Sequence, residues 1–191
     1  MFSYKENYFL FTDNTTELNL NAIKIKNKFI LIYRNNEQTK NLKKLKRLRK
    51  ECKKKFIKFY VANDTRLYSY LKADGLYISA HNKDLRLKAY NKSKMKNIGS
   101  AHNLKEIGLK IKQGCKTIVF SRLFKTNYKK KSGYLGTVKF NLLTKIYNKQ
   151  LIPLGGIKYN NLNKLKIINS NGLCILSELK KKPAKIINRL F

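Results

Sequence analysis

Short apolar runs alternate with amphipathic stretches from one end of the chain to the other. The runs are Tyr8–Phe11, Phe29–Tyr33, Phe56–Ala62, Gly75–Ile78, Met95–Gly99, Lys116–Phe120, Leu151–Leu154 and Leu173–Leu176. Between them lie segments of helical character: Glu17–Ile25, Gln38–Cys52, Thr65–Lys72, Leu85–Asn91, Asn103–Gln113, Thr137–Tyr147 and Asn160–Ile168, with Glu178–Leu190 after the last run. Continuous apolar runs separated by helices are the pattern of parallel strands buried on both faces. Eight such repeats predict a compact α/β fold, a (β/α)8 TIM barrel, as one domain over residues 1–191. The chain has 191 residues, against about 250 for a typical member of that fold, so its loops and helices must be short. A doubly wound open sheet is the alternative. The first run is not followed by GxGxxG, which counts against a dinucleotide site.

Local signals support the helices. Thr15 or Thr16 precedes the first. Asn103 with Glu106 three residues on fits a capping box, and Gly114 closes the same helix. Leu42, Leu45 and Leu48 mark an apolar stripe on a segment whose other face is lysine.

Polar residues follow nearly every run: Thr12 and Asp13, Arg34, Asn63 and Asp64, Ser79, Ser100 to His102, Ser121 and Arg122, Gly155 and Gly156, and Ser177. In a (β/α)8 barrel these strand ends share one rim, the rim that carries the chemistry. The paired glycines and Ser177 fit a phosphate cup, because glycine lets backbone N–H groups approach an anion and serine caps a helix.

Composition adds little that contradicts this. The formal net charge is +34, which raises nucleic acid, an anionic membrane or a polyanionic ligand as partners. The lysines are spread from end to end, as on a solvated surface, and no nucleic-acid partner is expected. Cys52, Cys115 and Cys174 are odd in number and far apart, as reduced core residues would be. No signal peptide is apparent, so a cytoplasmic location is expected. No run approaches the roughly 20 residues of a membrane span.

Taken in order, the motifs resemble the thiamine phosphate synthase/TenI family over most of the chain. They are YFLFTD at Tyr8–Asp13, LIYR at Leu31–Arg34, VANDTRLYSYLKADGLYIS at Val61–Ser79, IGSAHNLKEI at Ile98–Ile107, TIVFSRLFKTNYKKK at Thr117–Lys131, and the closing GGI and NGLCILS. The resemblance implies a transferase of thiamine biosynthesis. It would join hydroxymethylpyrimidine diphosphate to thiazole phosphate, through a pyrimidine cation, with release of pyrophosphate and the aid of Mg²⁺.

By position, the resemblance implies that Arg34 clamps the diphosphate, Asn63 binds the same group and Asp64 holds magnesium. It implies that Ser100 contacts the pyrophosphate, and that Thr126 and Lys129 reach the thiazole phosphate or the leaving group. Gly155, Gly156, Leu176 and Ser177 would form the phosphate cup. Asn82 stands where the family has a second magnesium aspartate, with Asp84 nearby but out of register. Asn36, Ile32 and Tyr128 depart from the family pattern as well. His102 stands where TenI-like thiazole tautomerases carry an acid/base histidine. Tautomerisation, or phosphate-ligand binding without turnover, is therefore the alternative function, with a basic nucleic-acid-binding protein ranked behind both. The substrates in either case are small phosphorylated molecules, and the sequence leaves the oligomeric state open.

Overall fold

The structure is a computed structural model that describes residues 5–13, 20–23, 26–34, 41–91, 97–126, 133–147 and 150–175. Eight strands run through these residues: β1 (Asn7–Thr12), β2 (Phe29–Tyr33), β3 (Lys58–Ala62), β4 (Gly75–Ile78), β5 (Ile98–Ala101), β6 (Thr117–Ser121), β7 (Gln150–Leu154) and β8 (Gly172–Ile175). All are parallel, in the order β7-β6-β5-β4-β3-β2-β1-β8. At the remaining seam, the Ser170 hydroxyl donates to Leu151 O at 2.7 Å. Gly172 there packs so tightly that a Cβ would lie 3.0 Å from Ile152 Cδ1. The sheet is thus a nearly closed barrel, and the (β/α)8 expectation holds.

Strict alternation along the strands separates two cores. Phe9, Phe11, Ile30, Ile32, Tyr60, Tyr77, Ile98, Val119, Ile152 and Cys174 fill the barrel interior. The intervening residues, among them Tyr8, Leu10, Leu31, Phe59, Leu76, Ile118 and Leu173, face the surrounding layer. A period of two on strands buried on both faces gives this division. The large aromatics of the interior let so short a chain fill a barrel.

Four α-helices are present among the described residues: α1 (Leu42–Lys54), α2 (Thr65–Leu71), α3 (Leu104–Lys112) and α4 (Gly136–Ile146). Asn41 caps α1, its Oδ1 accepting from Lys44 N at 3.0 Å. Leu45, Leu48 and Cys52 are the buried face of that helix, whereas Leu42 of the expected stripe is 40% exposed. Asn103 caps α3 as expected, its Oδ1 accepting from Glu106 N at 2.9 Å. The return bond of a capping box is replaced: Glu106 Oε2 accepts from the N–H of His102, one residue before the cap, at 2.6 Å. Gly114 follows with φ +77, a left-handed helix stop that glycine adopts without a steric penalty.

Three expected helices differ. Among the described residues, Leu20–Ala22 of the first, Leu85–Tyr90 and Tyr159–Leu165 are each a 3-10 segment. The burial spacing explains the last of these: Leu162, Leu165 and Ile168, at intervals of three, are all buried. That interval eclipses side chains on a three-residue turn and drifts around an α-helix. The expected helix over Glu178–Leu190 lies outside the described residues.

Candidate functional site

Alternation carries a defined set of polar residues to the inner side of the rim. Arg34 continues the inward series Ile30, Ile32 on β2, and Ser100 follows Ile98 on β5. Ser121 follows Val119 on β6, and His102 lies two residues beyond Ser100. The Arg34 guanidinium rests 4.7 Å above the Phe11 ring, and its Nη2 lies 3.2 Å from Asp13 Oδ1. Phe11 in turn meets Tyr77 edge-on at 5.3 Å, and Tyr77 is hydrogen-bonded to Ser100. Burial pushes the Tyr77 phenol and the Cys174 thiol beneath it well above their ordinary values. The floor of the rim is therefore neutral, and Arg34 is the positive charge held on it. Its Nε is buried and has no hydrogen-bond partner among the described residues. A buried guanidinium N–H in that condition is a donor awaiting an acceptor.

On the β5 and β6 side, the Ser121 hydroxyl and His102 Nδ1 are 2.6 Å apart. Arg122 donates from Nη1 to Thr126 Oγ1 at 2.8 Å. This ties the loop after β6 to the strand end.

A second polar cluster joins β3 to β4. Asn63 has φ +56, a left-handed conformation that asparagine tolerates better than most residues. This turns its side chain toward β4. Its Nδ2 donates to Ser79 Oγ at 2.9 Å, and its Oδ1 accepts from Ser79 N at 3.0 Å and Asn82 Nδ2 at 3.2 Å. Asp64 caps α2, Oδ1 accepting from Leu67 N at 2.8 Å. Asp84 caps the Leu85–Tyr90 turn and pairs with Arg86 at 2.9 Å. The Arg86 hydrogen bonds hold the Asp84 carboxyl below its usual range.

Asn82 thus meets Asn63 and, through Oδ1, the Asp84 N–H at 2.9 Å. No three His, Cys, Asp or Glu side chains gather as metal ligands among the described residues. One carboxylate and one neutral amide fit a Mg²⁺ that draws most of its ligands from water and phosphate oxygens, not a protein-built cage.

Gly155 and Gly156 both have positive φ, +96 and +67. The conformation also serves packing. A Cβ on Gly156 would lie 2.5 Å from Phe124 O and 2.6 Å from Lys125 O. Phe124 N donates to Gly155 O at 3.0 Å, so the glycine pair lets the loops after β6 and β7 lie against each other. Asn161 Nδ2 donates to Gly156 O at 2.8 Å.

The structure brings Arg34, Ser100 and His102 to the inner rim and groups Asn63 with Asn82 beside it, with Asp64 at the start of α2. Thr126 is engaged by Arg122. Lys129, Leu176 and Ser177 lie outside the described residues. Ser121 and Lys110 were not singled out as site residues from the sequence. Ser121 is legible only through its inward position on β6. Lys110 has no such signal: its place three residues after Ile107, on the buried face of α3, is seen only in the structure.

A sequence profile described as thiamine monophosphate synthase matches residues 5–179. No curated protein sequence is detectably similar to the chain. Among solved structures, a thiamine phosphate pyrophosphorylase from Pyrococcus furiosus superposes with a TM-score of 0.70 at 13% identity, covering 97% of each chain. KGPDC from Streptococcus mutans gives a TM-score of 0.68 at 10% identity, over 97% of this chain and 95% of that one. A chain of the tryptophan synthase a2b2 complex from Pyrococcus furiosus gives 0.64 at 12%, over 100% and 96%. At these identities the superpositions show a shared barrel. No helix among the described residues is long and apolar enough to cross a membrane. Because the profile match runs through all eight strands, the chain belongs to the thiamine monophosphate synthase family.

Proposed function

We propose that the protein joins hydroxymethylpyrimidine diphosphate to thiazole phosphate and releases pyrophosphate. The observation that carries this is Arg34: a guanidinium on a neutral aromatic floor, at the inner rim, with a buried Nε that has no hydrogen-bond partner among the described residues. A planar, permanently charged fork suits the oxygens of a diphosphate.

In the reaction the bond between the pyrimidine methylene carbon and the diphosphate oxygen breaks, and both electrons leave with pyrophosphate. The thiazole nitrogen then bonds to the methylene carbon. Arg34 opposes the charge that grows on the leaving group, a gain larger in the transition state than in the ground state. Ser100, held through Tyr77, and Asn63 would orient the same group by hydrogen bonds. Asp64 would hold a Mg²⁺ that arrives with the diphosphate, whose chemistry is to neutralise the departing oxygens. Gly155 and Gly156, with Thr126 and Lys129, would bound the thiazole phosphate.

Purified protein given both substrates and Mg²⁺ is expected to release pyrophosphate, and Arg34→Ala to lose at least about a hundredfold of that rate. Release no faster than in the Arg34→Ala variant would overturn the proposal.

The Ser121–His102 contact supports a second reading, proton transfer on a thiazole phosphate. A hydroxyl on Nδ1 orients the ring. Loss of tautomerisation in His102→Gln, with Asp64→Asn unaffected, would favour it over the first.

A further inference from the structure

Lys110 is the one basic side chain that is fully buried among the described residues. Its Nζ donates to Ser79 O at 2.7 Å, Asn82 O at 2.8 Å and Gln113 Oε1 at 2.8 Å. An ammonium has three N–H donors, so all are used, and every acceptor is neutral. Gln113, also fully buried, donates from Nε2 to Asn82 O and Asp84 O, both at 3.0 Å. Two side chains at one end of α3 therefore close on the loop that follows β4.

Burying an ammonium without a carboxylate is costly, and a hydrophobic residue of similar volume is often the more stable choice. The chain nevertheless makes room for it. A Cβ on Gly99 would lie 2.9 Å from Lys110 Cγ, so β5 has glycine where the lysine stem passes. The position supports something other than core packing.

What it holds is the loop that completes the Asn63 cluster. Ser79 and Asn82 present their carbonyls to Lys110. Ser79 meets Asn63 through its N–H and hydroxyl, and Asn82 meets it through the side-chain amide. Because the peptides are planar and trans, the N–H groups of Ala80 and Lys83 point away from the ammonium. A buried cation behind two aligned peptide dipoles gives the outer side of the loop a positive potential that favours an anion.

We propose that Lys110, assisted by Gln113, is a positioning residue for an anion subsite at the ends of β3 and β4, fixing the Ser79–Asn82 turn and through it the Asn63 side chain. The anion is a phosphate or diphosphate group, which rests on the function proposed above. The positioning itself does not.

The test combines amide hydrogen exchange with binding of inorganic pyrophosphate, on wild type, Lys110→Met and Gln113→Leu. In Lys110→Met, protection of the Ser79 and Asn82 amides is expected to fall about tenfold or more, as for loss of a charge-assisted hydrogen bond. The Ile118 and Val119 amides on β6 should keep theirs, and pyrophosphate affinity should fall by a similar factor. Gln113→Leu should show the same selective loss, smaller in size. Unchanged protection at Ser79 and Asn82, or an even loss across all strands, would overturn the proposal. If Lys110→Met does not fold, Gln113→Leu decides on the same criterion. Failure of wild type to bind pyrophosphate would count against the diphosphate reading, while the exchange data still decide the role of Lys110.

Discussion

The Ser121 hydroxyl lies 2.6 Å from His102 Nδ1 and joins the ends of β5 and β6 across the rim. Replacing Ser121 with alanine removes this Nδ1 contact without disturbing the strand. Proton transfer at His102 is expected to slow about tenfold, and pyrophosphate release to stay within about twofold, since Arg34 is untouched. Imidazole nitrogen spectra and parallel tautomerase and synthase assays measure the two effects. Equal loss in both assays would show that Ser121 serves the whole rim.

Asn82 is the neutral member of the β3–β4 cluster, 3.2 Å from Asn63 Oδ1. Asn82→Asp adds a carboxylate beside Asn63, the residue that precedes Asp64. Hard-cation affinity rises with ligand charge, so the Mg²⁺ concentration for half-maximal pyrophosphate release is expected to fall about tenfold. A Mg²⁺ titration of both proteins measures it, and an unchanged midpoint would place the cation elsewhere.

Asp74 stands at the opposite end of the barrel and ties three elements together. Its Oδ2 accepts from Phe59 N at 2.7 Å, and its Oδ1 accepts from Arg49 at 2.9 Å. Arg49 also donates to Lys72 O at 3.1 Å. Asp74→Ala leaves the Phe59 N–H and a largely buried guanidinium without their carboxylate. The expected cost is about 2–3 kcal/mol. A thermal midpoint lower by roughly 4–12 °C follows for a domain of this size. Activity of the folded fraction should be unchanged, because residues at this end of the fold serve stability.

Alkali should unfold the protein through its core. Burial pushes the thiols of Cys52 and Cys115 and the phenol of Tyr60 up to about 12, from 9.0, 9.0 and 10.0. A group whose folded value is raised contributes stability fully below its unfolded value, and loses it as pH rises toward the folded one. Stability should hold to about pH 9 and then fall continuously toward pH 12. Cys52→Ala/Cys115→Ala should flatten that slope. The same burial predicts that neither thiol reacts with iodoacetamide at pH 8 until the chain unfolds.

The barrel was legible because each strand is a closed apolar run, and burial on both faces needs nothing more specific than that. The helices were less so. The Asn160–Ile168 segment has the right apolar residues at a spacing that suits a three-residue turn, and periodicity alone blurs the difference. In the candidate site, the rim positions of Arg34, Ser100 and His102 were legible because each stands at a strand end. The Asn63 clasp was not, since it depends on one left-handed residue and on partners 16 and 19 positions away. Lys110 was hidden by composition: with 44 lysines and arginines in 191 residues, a lysine carries almost no signal about where it lies.

Arg34 rests on Phe11 and is paired with Asp13. A free, long, charged side chain gives up as much as ~2 kcal/mol of rotamer freedom when a ligand immobilises it. Here that ordering already belongs to the folded state. At 1.4 kcal/mol per decade, the difference is worth up to about thirtyfold in affinity. An aromatic ring one residue before the end of β1 therefore acts on binding without touching the ligand, by preorganisation, and truncating Phe11 should weaken anion capture chiefly through entropy.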